Sequence, residues 1–158
     1  MLDKRYGFKA QSSLELLLTL SFGLAVLIPI VIVAFIQVSN TNASLSAVAS
    51  QQAASKLSSV ATLVGSEGPP ARQLVQISVP PGVIDIYVGN TIDGVGHEII
   101  FKIVSPSNAS YITTYTPVNV SGNLGGISTQ GTYLVNVSAQ SQCQSNQNVP
   151  CVYMQPVV

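Results

Sequence analysis

The chain has 158 residues, of which 47% are hydrophobic and only 8% charged, and six Lys or Arg balance six Asp or Glu to a formal net charge of zero. Such a balance supplies neither a basic stripe for nucleic acid nor a field that would draw the chain to an anionic surface. One histidine and two cysteines leave little material for metal or redox chemistry.

Residues 1–10, MLDKRYGFKA, gather Lys4, Arg5 and Lys9 ahead of a long apolar run, QSSLELLLTLSFGLAVLIPIVIVAFI, over residues 11–36. Basic residues before an apolar run hold the N-terminal end on the cytoplasmic side during insertion. Residues 16–36 alone, as a helix rising about 1.5 Å per residue, reach about 32 Å, enough for a bilayer core. The run carries one ionisable group, Glu15. A charge at the centre of a membrane helix costs about 2.5–3.5 kcal/mol on insertion scales, so an acid in such a segment points to a function with a nameable partner. A plain single-pass anchor accounts for the length but not for Glu15. An ordinary secretory signal has an apolar core of about 7–15 residues and a small-residue cleavage site, and neither fits here.

The stretch Lys9-Ala10-Gln11-Ser12-Ser13-Leu14-Glu15 resembles the class III signal peptide of archaeal type IV pilins. Leader charge, cut-site residues, position of the acid and hydrophobic length all agree over residues 1 to about 40. The resemblance implies that a prepilin peptidase cuts between Ala10 and Gln11 and leaves the apolar segment attached. Glu15 then becomes the fifth residue, one helical turn from the new ammonium group of Gln11. A cut between Gly7 and Phe8 would instead put Ser12 fifth and give the carboxylate no role. The resemblance further implies insertion in the cytoplasmic membrane, then extraction by an assembly ATPase and a membrane platform protein. The product would be a helical homo-polymer at the cell surface.

Within the run, Pro29 removes a backbone donor and crowds the preceding turn, and Gly23 loosens the same region. Two readings stand: an ordinary transmembrane proline, or a segment that changes shape as the subunit passes from lipid into a filament. Over residues 39–64 the composition turns to Ala, Ser and Gln, with Leu45, Val48, Ala49, Ala53, Leu57, Val60, Ala61 and Val64 at spacings of three and four. That pattern predicts one narrow apolar stripe on an amphipathic helix, closed by Gly65 and the Gly68-Pro69-Pro70 sequence. The helical stretch of residues 11–66 divides into a membrane or filament core (11–38) and an amphipathic part (39–66).

Beyond Pro70 the period changes to two. Residues 74–79, 83–88, 98–104, 111–120, 131–139 and 151–158 are rich in Val, Ile, Thr and Tyr, and turn residues such as Pro80-Pro81-Gly82 and Asp93-Gly94 separate them. The fold class expected is α+β: a long N-terminal hydrophobic helix followed by a small antiparallel β-sandwich-like head over residues 67–158, in the manner of type IV pilins.

Cys143 and Cys151 flank a polar loop, a spacing that in an exported chain reads as a disulfide, with free buried thiols as the alternative. Asn42, Asn108, Asn119 and Asn136 each open an Asn-X-Ser acceptor pattern for N-glycosylation. No enzymatic constellation is legible, and no cofactor or metal is expected. His97 is expected beside a hairpin turn with its ring in solvent. Asp85, Asp93 and Glu98 could meet at one end of the sheet, but their spacing matches no calcium loop and they read as solvated carboxylates. The expectation is therefore a structural subunit of an adhesive surface filament, not an enzyme. The alternatives are a membrane-tethered binding module that does not polymerise in bulk, and an archaellin of a motility filament.

Overall fold

The structure is a computed structural model that describes residues 6–90, 94–104, 109–143 and 149–157, with backbone alone over residues 6–13 and at 43. It contains one helix, α1 (Tyr6–Glu67), and six strands: β1 (Arg72–Val79), β2 (Val83–Val88), β3 (Gly96–Val104), β4 (Ala109–Asn123), β5 (Gly131–Gln140) and β6 (Cys151–Val157). Two compact units divide the chain, Met1–Asn42 and Ala43–Val158, and α1 runs through the boundary.

The first unit is helical throughout its described part. Its side chains from Leu14 onward are exposed, Leu16, Phe22, Ile30 and Phe35 among them, and the helix is long and apolar enough to cross a membrane. Three of its hydroxyls turn back on their own backbone: Thr19 Oγ1 donates to the Leu16 carbonyl at 2.9 Å, Ser21 Oγ to that of Leu17 at 2.7 Å and Thr41 Oγ1 to that of Gln37 at 2.9 Å. A hydroxyl satisfied within its own helix asks nothing of an apolar surrounding. Pro29 sits inside the helix and withholds the donor that the Ala25 carbonyl would otherwise receive.

In the second unit α1 ends as Gly68 turns to φ +73°, a left-handed cap that only glycine enters cheaply, with its N–H donating to the Val64 carbonyl at 3.2 Å. Gly65, expected to share in closing the helix, lies inside it. The sheet that follows runs β1-β5-β6-β4-β2-β3, and β3 also pairs with β4. The long β4 therefore serves twice: residues 109–115 pair with β3, and residues 120–123 meet β6 and the end of β2. Between those stretches Thr116, Pro117, Val118 and Asn119 stand opposite His97 alone. A bulge of this kind tolerates a proline that no central ladder would accept.

This arrangement corrects two expectations. The head is one mixed sheet and not an antiparallel sandwich, because β6 lies antiparallel to β5 but parallel to β4. The second layer is the helix itself. Leu57, Ala61 and Val64 lie in one buried cluster with Ile77, Phe101, Val120, Val135 and Met154. The helical face that supplies them is also shifted from the predicted stripe: Ala53, Leu57, Ala61 and Val64 are buried as expected, whereas Leu45 and Val48 are 61% and 54% exposed, and Ser46, Ser50 and Ser58 are buried instead. Serine is small enough to let the helix lie close to the strands. Ser58 also donates to the Tyr115 carbonyl at 2.9 Å, and Lys56 Nζ to the Gln76 carbonyl at 2.8 Å. One carbonyl on β1 and one on β4 thus each accept from the same helix.

Truncation of Leu57, fully buried, to Ala should cost about 2–5 kcal/mol through lost burial and a residual cavity. Leu63→Ala, at a position 51% exposed, should change stability by no more than about 0.5 kcal/mol. Urea unfolding of the full chain in detergent, followed by circular dichroism, measures both.

Candidate functional site

Three places in the chain offer chemistry, two of them singled out from the sequence. The first is the start of the apolar helix. Glu15 is exposed on α1, Ala10 and Gln11 fall within the helical backbone with their side chains outside the described residues, and the leader residues 1–5 lie outside them altogether. An extended, uncovered apolar helix with one acid near its start is an arrangement that a bilayer or other helices can cover.

The second is the closure of the last strand. Cys143 and Cys151 form a disulfide, with Cα atoms 5.6 Å apart, and pack with Val95 and Val149 in a small cluster of their own. The Cys143 N–H donates to the Val149 carbonyl at 3.1 Å. Because Cys151 is also the first residue of β6, opposite Gln140 of β5, the bridge fixes where that strand enters the sheet.

The third is a cleft that the sequence did not announce. The four-residue bulge in β4 parts it from β3 beside a cavity of about 490 Å³ lined by Gly89, Asn90, Gly96, His97, Glu98, Ile100 and Tyr115. Gly89 makes this possible. It adopts φ +83°, its N–H donates to the Glu98 carbonyl at 2.8 Å, and a Cβ there would fall 2.6 Å from the Val120 carbonyl oxygen. His97 is not in open solvent, as expected, but half-buried. Its ring stacks on that of Tyr115 at 5.6 Å between centroids, and Nδ1 lies 3.1 Å from the Thr116 carbonyl. A carbonyl only accepts, so Nδ1 carries the proton and donates. The Thr116 hydroxyl in turn donates to the Val118 carbonyl at 2.9 Å, which braces the bulge from within. Of the features that build this cleft, only Pro117 within a strand-like run hinted at an irregularity.

The carboxylates do not assemble a cation site: among the described residues no group of three His, Cys, Asp or Glu side chains is placed to hold a metal, and Asp93 lies outside them. Asp85 is occupied locally. Its Oδ1 accepts from the Ile86 N–H at 2.9 Å, and its hydrogen bond to Tyr87, reinforced by its charge, pushes the phenol above its ordinary pKa. The acceptor asparagines differ in setting. Asn42 is exposed on α1. Asn136 is half-buried in mid-strand between Leu74 and Gln155, and Asn119 is half-buried with its amide donating to the Pro150 carbonyl at 3.4 Å. Asn108 lies outside the described residues.

Comparison with known protein families, with characterised proteins and with solved structures returns no match to this chain.

Replacing both Cys143 and Cys151 by Ser should remove about 2–3 kcal/mol of stability, the cost of freeing a short loop in the unfolded chain. The drop should appear as a lower urea midpoint in the double variant, and addition of a reductant should reproduce it in the parent protein.

Proposed function

We propose that this chain is the structural subunit of an archaeal type IV pilus-like surface filament, processed by a prepilin peptidase and polymerised through its N-terminal helix, with adhesion as its task. The observation that carries the reading is the apolar helix from Leu14 onward, whose described side chains up to Asn42 are exposed and which bears a single acid at its start. In the membrane, lipid covers it. In a filament, the same helices of neighbouring subunits do so.

Glu15 is what separates this reading from a plain anchor. Lipid tails are as apolar as leucine side chains, so transfer of the helix from bilayer to bundle gains little hydrophobic free energy, and close packing together with the assembly motor must drive it. A lone charge inside such a bundle costs several kcal/mol unless a partner neutralises it. Cleavage before Gln11 creates that partner, an ammonium group on the same or an adjacent subunit, and the pair sets the depth at which an incoming helix stops. The amphipathic part of α1 supports the same use. Its face opposite the sheet carries Leu45, Val48 and Leu63 among Gln52, Ser55 and Ser59, a surface suited to close approach by further helices. The cleft beside Tyr115 favours a second reading, a tethered binding module, which shares the leader and the membrane helix but not the polymer.

Sheared cell-surface fractions should contain uniform fibres made of this chain, with Gln11 as the first residue by chemical sequencing. Glu15→Ala should still be cleaved but should give few or disordered fibres by electron microscopy. A normal fibre yield from that variant would remove the docking role of the carboxylate, and intact Met1 on solitary surface molecules would remove the filament.

A further inference from the structure

On the outward face of the sheet, β2, β3 and β4 set their side chains in rows. Asp85, Lys102 and Tyr111 form one row, Tyr87, Ile100 and Thr113 the next, and Glu98 with Tyr115 the third, which opens into the 490 Å³ cavity. We propose that this cavity is a binding subsite for a neutral pyranose ring of an oligosaccharide. The inference goes beyond the filament reading and holds whether or not the chain polymerises.

The argument rests on what the walls offer and refuse. Tyr115 is 67% exposed, and one side of its ring already lies on His97, so a single flat aromatic face remains open toward the cleft. A flat apolar wall suits the C–H face of a sugar ring. An ammonium ion is better held where several rings close around it, and the neighbouring Tyr111 ring already has Lys102 Nζ over it at 5.9 Å. Glu98 stands directly opposite Tyr115 and is exposed, and its two oxygens only accept. A ligand that enters must therefore bring donors, as the adjacent hydroxyls of a pyranose do. Among the described residues no Lys or Arg lines the cavity, so an anionic ligand would meet the carboxylate with no compensating charge. Asn90 also lines the cavity, and Val95 and Ile100 add apolar lining. The volume falls within the range of about 300–1,000 Å³ that small-molecule sites occupy.

The backbone beneath the wall is also held: the Tyr115 carbonyl accepts from Ser58 of α1, and the His97 ring donates to the Thr116 carbonyl. A tyrosine ring has few torsions to lose on binding, which is the reason it recurs in recognition surfaces.

The test uses the full chain in a polyoxyethylene detergent, which itself carries no sugar, titrated calorimetrically with cellohexaose, maltohexaose and mannohexaose and, separately, with choline. At least one hexaose should bind. Tyr115→Ala and Glu98→Ala should each weaken it about tenfold or more, on the scale of one lost strong contact. Tyr115→Phe, which keeps the wall, and Leu74→Ala, outside the cleft, should bind as the parent does, and circular dichroism confirms that each variant is folded. Failure of all three hexaoses to bind, binding that survives both alanine substitutions, or choline binding more tightly than every sugar would overturn the proposal.

Discussion

The head depends on one seating: a helix lodged between the two open edges of a curled sheet. Leu57 supplies the apolar contact, and on either side of it Lys56 and Ser58 give hydrogen bonds to the carbonyls of Gln76 on β1 and Tyr115 on β4. Three consecutive residues thus connect the core to both edges. Without them these two carbonyls would have only solvent as a partner. The same seating reaches the cleft, because the Tyr115 carbonyl that Ser58 holds belongs to the residue whose ring forms the wall.

Along α1 the composition follows the medium. From Leu16 to Ile36 the helix is apolar on every side but for Thr19 and Ser21, whose hydroxyls are satisfied internally, so it suits a surrounding that offers no hydrogen bonds. After the polar residues Gln37, Ser39, Asn40, Thr41 and Asn42, the requirement becomes closeness to a sheet, and Ala and Ser take over the inward face.

Much of this was legible from residue order. The length of the helix follows from an unbroken apolar run succeeded by an Ala-rich amphipathic one, and all six strands follow from two-residue alternation between turn residues. What the sequence withheld were the choices made at long range. The burial of Ser46, Ser50 and Ser58 in place of Leu45 and Val48 is decided by how near the sheet lies, which no helical periodicity encodes. The strand order, the parallel pairing of β4 with β6 and the double use of β4 are matters of which distant edges meet. The cleft was missed for the same reason: His97, Glu98 and Tyr115 are separated along the chain and come together only through the bulge at Pro117. The acid at position 15 and the cysteine pair, by contrast, carry their meaning in local spacing.

The place of β6 has a consequence for biogenesis. It comes last among the described strands, yet it lies between β5 and β4 and joins the two halves of the sheet. Until residues 151–157 have emerged, β1 with β5 and β2 with β3 and β4 are separate fragments that no ladder connects. The apolar helix is therefore synthesised long before the sheet behind it can close into one ladder.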